Sequence, residues 1–197
     1  MSLFNYNAKE IHCKIVYYGP SLGGKTTNIQ WMYQSLAADQ KSKLSVLNTE
    51  IERTMLFDFL PLDVGEIRGF KTRFHLYSVP GQIVYDATRK LILQGIDGVV
   101  FVADSQADRM DENLQALENL EKNLYQQGYQ IKDIPLVIQY NKRDLPNILP
   151  VSELRKQLNR LNSTEIEACA FEGKGVLESF KSVSKSIIQV LKGAAVG

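Results

Sequence analysis

The sequence predicts an α/β fold in which helices cover both faces of a mainly parallel sheet. Apolar runs of strand length alternate with segments of helical period, and this alternation is typical of parallel sheets. A glycine-rich turn joins the first apolar run directly to the first helical segment. The length of 197 residues allows a buried core without disulfides or metals. We therefore expect residues 1–197 to form a single domain.

Six apolar runs have the length of strands. They lie near residues 11–18, 56–67, 70–78, 97–103, 134–140 and 164–169. A short extra strand is expected within residues 2–7, which include Leu3-Phe4-Asn5-Tyr6. Residues 38–45 and 48–54 show no clear period, so we expect a loop region that leads into the second strand.

Three segments repeat apolar residues at helical spacing, which predicts amphipathic helices packed on the sheet. The stripes are Ile29, Met32, Tyr33 and Leu36; Leu114, Leu117, Leu120 and Leu124; and Leu177, Phe180, Val183, Ile187, Ile188 and Leu191. The last helix is expected to stop at Gly193. Trp31, Tyr33 and Phe180 are interpreted as core or surface aromatics and not as a stacking platform for nucleic acid.

Charge and composition exclude several classes of function. The chain carries 23 basic and 22 acidic residues without a basic cluster, so no nucleic-acid partner is expected. Cys13 and Cys169 lack metal-binding spacing and are expected to be reduced, buried thiols. His12 and His75 have no companion at ligand spacing and are expected to be structural. Without a signal peptide, membrane span or lipidation motif, the protein is expected to be cytoplasmic, with no direct membrane anchor.

A phosphate-binding motif follows the first long predicted strand. Gly19-Pro20-Ser21-Leu22-Gly23-Gly24-Lys25-Thr26 matches G-x-x-x-x-G-K-[ST], and we call these residues the phosphate loop. Its glycines let backbone N–H groups converge on polyphosphate oxygens at the positive end of the following helix. Lys25 is expected to reach the β- and γ-phosphates, and Thr26 to ligate Mg²⁺. The predicted phosphate-binding residues here are Gly19, Leu22, Gly23, Gly24, Lys25, Thr26 and Thr27.

A second motif, Asn141-Lys142-Arg143-Asp144, indicates that the base is guanine, and we call residues 141–144 the base loop. The Asp144 carboxylate accepts from N1–H and the exocyclic amine, a pair that adenine does not present. Asn141 is expected to donate toward O6 or N7, and the Lys142 stem to cover the ring. Glu167-Ala168-Cys169-Ala170-Phe171 is expected to form a further guanine-binding loop containing Ala170 and Phe171, with the Ala170 N–H free for O6. Alone, residues 141–144 would be interpreted as a solvated charged loop.

Together with Pro80-Gly81-Gln82, these motifs occur in the order of Ras-like small GTPases, and the chain resembles the bacterial MglA family in particular. The segments that carry the resemblance are Tyr17-Tyr18-Gly19-Pro20, Glu52-Arg53-Thr54, Phe57-Asp58-Phe59-Leu60-Pro61, Gly69-Phe70-Lys71-Thr72-Arg73-Phe74-His75-Leu76-Tyr77 and Val79-Pro80-Gly81-Gln82. The resemblance implies a P-loop Ras-like fold, whose six-stranded sheet has one antiparallel strand. It also implies GTP and GDP as substrate and product, Mg²⁺ as cofactor, and Gly81 as a phosphate contact.

Two positions depart from the Ras pattern. Ser78 stands where Ras-like proteins carry the aspartate of D-x-x-G, so it is expected to hold the Mg²⁺ shell more weakly, through water. MglA proteins are similar in lacking that aspartate. Ser21 replaces a loop glycine whose substitution obstructs an arginine from an activating partner, so the stabilising cation is expected to enter along another path.

Hydrolysis needs an aligned water and a positive charge near the transferred phosphoryl group. Gln82 is the candidate that orients the water. Arg53 resembles the intrinsic arginine finger of MglA, and Thr54 resembles the switch I threonine that contacts Mg²⁺ and the γ-phosphate. The competing interpretations are a surface ion pair of Arg53 with Glu50 or Glu52, and a strand-edge position for Thr54.

The leading hypothesis is a GTP-hydrolysing switch that is slow unless a partner stimulates it. The MglA resemblance implies a role in cell polarity or motility, an activating Roadblock-type (MglB-like) dimer, and polarity or motility effectors that recruit a monomeric protein to a cell pole. The alternative is a GTP-locked binding module with negligible hydrolysis, because Ser78 replaces an aspartate. A nucleoside kinase is disfavoured by the base loop and by the absence of an Arg-rich lid.

Overall fold

The computed structural model describes residues 3–35, 59–67, 69–80 and 86–194. In these ranges the chain forms one seven-stranded sheet with helices on both of its faces. The strands are β1 (Leu3–Asn5), β2 (Glu10–Tyr18), β3 (Phe59–Ile67), β4 (Phe70–Ser78), β5 (Gly98–Asp104), β6 (Leu136–Asn141) and β7 (Thr164–Glu167). The helices are α1 (Lys25–Ser35), α2 (Asp86–Leu93), α3 (Met110–Tyr125), α4 (Val151–Leu158) and α5 (Val176–Ala194).

The strand order is β3-β4-β2-β5-β6-β7. From β4 to β7 all neighbours are parallel, whereas β3 runs antiparallel to β4. The predicted six-stranded, mainly parallel α/β sheet with one antiparallel strand is therefore confirmed. Residues 56–58 of the second expected strand, and the expected loops 38–45 and 48–54, lie outside the described residues.

β1 is a further strand that pairs antiparallel with the start of β2, where Leu3 lies opposite His12. It lies within residues 2–7, where an extra strand was expected. β4 pairs with one side of β2. β1 pairs with the other side at the start of β2, and β5 pairs with that same side at the end of β2.

Two apolar clusters form the core, one on each face of the sheet. The first packs the β2 side chains Ile11, Cys13, Ile15 and Tyr17 beneath α1 and α5. The second places Val16, Tyr18 and apolar residues of β5 beneath α2, α3 and α4. Every residue of β5 is buried, because helices cover this central strand on both sides. The predicted stripes of α1, α3 and α5 face these clusters in the described residues, while Leu36 lies outside them.

The topology fixes where a ligand can bind. β2 lies between β4 and β5 in the sheet. The next two parallel strands of the chain therefore lie on opposite sides of β2. Parallel sheets bind ligands beyond the carboxyl ends of strands, at the point where the connections diverge. The segment that leaves β2 at this point is the phosphate loop, and the segment that leaves β6 is the base loop.

Cys13 and Cys169 are buried thiols, as the sequence predicts. Within the described ranges, no helix combines the length and apolar character needed to cross a membrane.

Candidate functional site

The phosphate loop is pressed against the backbone of β5. Gly19 adopts φ of 140°, and a Cβ at this position would lie 2.2 Å from the carbonyl oxygen of Val102. Gly23 is also close, with a Cβ position 3.2 Å from the same oxygen. The close approach of two backbones explains why the loop needs glycine at Gly19.

The loop then enters α1, which begins at Lys25. The Lys25 side chain is buried and its Nζ donates to the carbonyls of Gly19 (3.0 Å) and Pro20 (2.5 Å). Thr26 is exposed and Thr27 is half-buried in the first turn of the helix. The loop therefore places an ammonium group and a helix N-terminus side by side, an arrangement that favours anions.

The apex of the loop is the exposed residue Leu22, whose φ is 61°. Positive φ is unfavourable for a residue that carries a Cβ, at a cost of roughly 1–2 kcal/mol. Gly23 closes the turn by donating its N–H to the Pro20 carbonyl at 3.3 Å, and Gly24 adopts φ of 101°.

Asn141, the last residue of β6, joins two loops. Its Nδ2 donates to the Gly23 carbonyl at 2.8 Å, and its Oδ1 accepts the Ala170 N–H at 2.9 Å. The contact with the phosphate loop is close, since a Cβ on Gly24 would lie 2.1 Å from Asn141 Nδ2. The expectation of a free Ala170 N–H is therefore wrong in this structure. Asn141 reaches that N–H because β6 ends beside the segment that follows β7.

Lys142 adopts φ of 64° and directs its Nζ to Asp104 Oδ2 at 2.6 Å. Asp104 ends β5 and is fully buried, so its charge requires such a partner. The sequence analysis missed Asp104. An acidic residue at the end of a wholly apolar run was the available signal, because that run leads to the carboxyl edge of the sheet.

We call residues 168–175 the Ala170 loop, which connects β7 to α5. Ala170 is buried, whereas Phe171 is 85% exposed beside it. The carboxylate of the exposed residue Asp144 contacts the Cys169 thiol. Burial of the thiol, together with this carboxylate, raises the pKa of Cys169. The structure thus brings the ends of β6 and β7 together at one place.

A buried polar network lies beneath these loops. The side chains of Asn28 and Gln139 exchange two hydrogen bonds of 2.9 Å, and Asn28 Nδ2 also donates to the Gly24 carbonyl at 2.9 Å. Gln139 Nε2 donates to Ser179 Oγ at 2.8 Å, and Ser179 Oγ donates to the Gly175 carbonyl at 2.7 Å. The network links α1, β6 and α5, and the sequence analysis did not identify it.

Ser78 is buried at the end of β4, opposite Tyr17 in the strand register. It therefore lies at the same sheet edge as the phosphate loop. Among the residues that the structure describes, no group of three His, Cys, Asp or Glu side chains is arranged to hold a metal. The hydroxyl oxygens of Thr26 and Ser78 are of the ligand type that Mg²⁺ prefers. They fit a Mg²⁺ ion that is held mainly by phosphate and water.

Four expected site residues cannot be compared with the structure. Arg53, Thr54, Gly81 and Gln82 lie outside the described residues.

Comparison with known proteins gives similarity along nearly the whole chain. Residues 2–187 match the model of the ADP-ribosylation factor family. The mutual gliding-motility protein MglA of Myxococcus xanthus (strain DK1622) is 61% identical over 192 residues, which cover 98% of each chain. ADP-ribosylation factor-like protein 4C of Homo sapiens is 32% identical over 66% of this chain and 68% of its own. ADP-ribosylation factor-like protein 6 of Caenorhabditis elegans is 27% identical over 87% of this chain and 92% of its own.

Proposed function

This chain belongs to the ADP-ribosylation factor family as a bacterial small GTPase of the MglA type, and on that basis we propose a GTP-hydrolysing switch for motility or polarity. The family membership supports guanine-nucleotide binding and GTPase activity in general. The particular roles of single residues are proposals that depend on the geometry of the site.

The observation that carries the proposal is the double contact of Asn141. One side chain joins the Gly23 carbonyl of the phosphate loop to the Ala170 N–H of the Ala170 loop. A nucleotide bound across the carboxyl edge would have its phosphates on the first loop and its base on the second. Asn141 then acts mainly by holding the two loops at a fixed separation.

The phosphates would lie over the phosphate loop and the start of α1. The backbone of Leu22, Gly24, Thr26 and Thr27 would supply N–H donors, and Lys25 would supply charge. Gly23 would contribute by shaping the loop, because its N–H donates to the Pro20 carbonyl. Lys25 Nζ donates to two loop carbonyls, which hold its ammonium at the phosphate loop. Mg²⁺ would neutralise charge on the phosphate oxygens, with Thr26 and Thr54 as ligands and Ser78 in contact through water.

The base would lie between the base loop and the Ala170 loop. Asp144 is exposed beside the Cys169 thiol, and its carboxylate is accessible to N1–H and the amine of guanine. The aliphatic stem of Lys142 and the exposed ring of Phe171 offer apolar cover on the base.

Hydrolysis is assigned to Gln82, which would orient water, and to Arg53, which would supply the charge in cis. Without a partner we expect slow turnover, on the order of 10⁻⁴ to 10⁻² per second, because an unaided small GTPase does not align the water and the stabilising charge efficiently. A Roadblock-type dimer similar to MglB would order both residues. Effectors would recruit the GTP-bound form, a monomeric single domain, to a cell pole.

The first experiment measures nucleotide selectivity and turnover together. Competition against a fluorescent GDP analogue should show GTP and GDP displacing the probe while a large excess of ATP does not. Phosphate release from Mg²⁺-GTP should be slow alone and faster with an MglB-type dimer. Equal competition by ATP would refute the guanine assignment.

The role of Arg53 is tested separately, at saturating partner. The Arg53→Ala variant should lose about 10³-fold or more of the stimulated rate, with GTP affinity nearly unchanged. Equal stimulated rates in the two proteins contradict a finger in cis. No stimulation by any partner, with GTP retained through purification, would favour the GTP-locked module instead.

A further inference from the structure

Arg109, in the short turn that precedes α3, contacts the phosphate loop from outside the recognised motifs. Its Nη2 donates to the Ser21 carbonyl at 2.9 Å, and its Nη1 donates to Glu112 Oε1 at 2.7 Å. Its Nε lies 3.8 Å from Asp104 Oδ2. We propose that Arg109 is a positioning residue that holds the Ser21–Leu22 peptide in its phosphate-binding orientation, an inference that rests on the proposed function.

The orientation argument follows from the planarity of the peptide. In a trans peptide the carbonyl and the N–H of the next residue point in opposite directions. By holding the Ser21 carbonyl, Arg109 therefore turns the Leu22 N–H to the other side of the loop. This N–H is then available to a phosphate oxygen.

The conformation of Leu22 explains why an external contact is needed. Its φ of 61° is unfavourable for a residue with a side chain, and the residue is 83% exposed. Apolar packing therefore does little to hold Leu22 in place. The charge-assisted hydrogen bond from Arg109 is the contact that opposes relaxation of this peptide.

Arg109 is itself fixed by the end of β5. The Asp104 carboxylate is fully buried, and its Oδ1 accepts the Gln106 N–H at 3.1 Å. The Asp104 backbone exchanges two hydrogen bonds of 2.8 Å with the side chain of Asn113 on α3. This buried carboxylate attracts the guanidinium across 3.8 Å, while Glu112 holds it by a direct hydrogen bond.

The same carboxylate connects the two halves of the site. Asp104 Oδ2 receives Lys142 Nζ at 2.6 Å from the base loop and faces Arg109 Nε. Arg109 extends the connection to Ser21 in the phosphate loop. Loss of Arg109 should therefore weaken phosphate binding selectively and leave the base loop paired through Lys142.

The test compares a nucleoside diphosphate with a monophosphate. Affinities for GDP and GMP are measured by competition against a fluorescent GDP analogue, for the wild type and for Arg109→Ala. The ratio of GDP to GMP affinity should fall about tenfold, equivalent to about 1.4 kcal/mol, because one charge-assisted hydrogen bond no longer orients the β-phosphate donor. GDP should also dissociate about tenfold faster.

Arg155→Ala is the matched control. This arginine pairs with Glu165 on the surface of α4, so its removal should leave the affinity ratio at the wild-type value. If Arg109→Ala does not fold, judged by thermal unfolding, Arg109→Lys replaces it. A lysine has one point-like ammonium and cannot hold Ser21, Glu112 and Asp104 together, so the ratio should still fall severalfold.

An unchanged ratio in the folded Arg109 variant overturns the inference, as does an equal loss of GDP and GMP affinity. Either result is distinct from failure of the proposed function. That failure would appear in the wild type, as an absence of GDP binding or as equal competition by ATP.

Discussion

The indole ring of Trp31 lies directly against the backbone of Gly173. A Cβ built on Gly173 would fall 1.9 Å from Cε2 of the indole. Trp31 belongs to α1, which follows the phosphate loop, and Gly173 belongs to the Ala170 loop. This contact therefore packs α1, the helix that follows the phosphate loop, against the Ala170 loop.

Gly173→Ala should weaken GDP binding by about tenfold, because overpacking at a tight contact costs roughly 1–3 kcal/mol and shifts the Ala170 loop. Trp31 is the single tryptophan of the chain, so its fluorescence emission reports the displaced contact directly. GDP affinity is measured by calorimetry on the same samples.

The control for this variant is Gly95→Ala. Gly95 has φ of 68°, close to the 80° of Gly173, but a Cβ there meets nothing within 4 Å. The control carries the backbone strain without the clash and should leave GDP affinity unchanged. Equal affinities in the Gly173 variant and the wild type would show that the contact does not position the site.

A second prediction concerns the amide pair beneath the phosphate loop. Gln139→Leu removes the donor to Asn28 Oδ1 in a fully buried place, while Ser179 keeps its bond to the Gly175 carbonyl. The free energy of unfolding should fall by about 2–3 kcal/mol, measured by urea denaturation, because each buried unsatisfied polar group costs about 1–3 kcal/mol.

The double variant Asn28→Leu/Gln139→Leu distinguishes this cost from simple loss of packing. Replacing both partners with apolar groups of similar size should recover part of the stability lost in Gln139→Leu. GDP affinity should fall in the double variant, since the bond from Asn28 to the Gly24 carbonyl is gone. A double variant no more stable than Gln139→Leu would contradict the pairing argument.

The fold could be predicted because its signals are local. The alternation along β2, the continuous apolar run of β5 and the stripe of α5 each depend on neighbours in the sequence. The glycine pattern of residues 19–24 and the lysine after it likewise fix the loop and helix start within a few residues.

The parts that were missed depend on the register between distant strands. His12 Nδ1 and His75 Nε2 lie 2.8 Å apart. The parallel pairing of β2 with β4 sets Lys14 opposite His75, and His12 lies two residues before Lys14 on the same face of β2. The pairing of β6 with its two neighbours likewise brings the Ala170 N–H to Asn141 Oδ1 and Lys142 Nζ to Asp104 Oδ2. Chemistry at a sheet edge is set by which strand ends meet there, and a linear pattern does not state that.

The histidine pair predicts a dependence of stability on pH. Burial, reinforced by His12, Arg73 and Lys14, lowers the pKa of His75 from its usual value of 6.5. Between about pH 6.5 and the lower pKa of His75 in the folded protein, the unfolded chain binds more protons than the folded chain. The free energy of unfolding therefore falls as the pH drops through this range. Above about pH 6.5 this contribution is fully present.

Urea denaturation at about pH 7.5 and about pH 5.5 compares the wild type with His75→Gln, which keeps an amide near His12 but does not titrate. The wild type should lose more stability than the variant on acidification. Glu10, which contacts both His12 and Arg73, is unchanged in both proteins. Parallel losses would show that His75 does not control this dependence.

We propose that one side chain sets the identity of the base, so Asp144→Asn should change it. Guanine presents N1–H and an amine to two carboxylate oxygens, whereas xanthine has a carbonyl in place of the amine. Asparagine offers one acceptor and one donor, so the variant matches xanthine and opposes guanine. GDP affinity should fall by about a hundredfold, and XDP affinity should rise above it.

Competition of GDP and XDP against a fluorescent probe measures this exchange. Glu167→Gln is the control, because Glu167 is an exposed carboxylate that pairs with Arg143 at the neighbouring strand end. The control removes the same charge close to the site without touching the base, so its preference should remain with GDP. If Asp144→Asn keeps the wild-type preference, the carboxylate does not read the base. Selectivity would then have to come from the Ala170 loop, where Asn141 already occupies the backbone N–H that O6 would need.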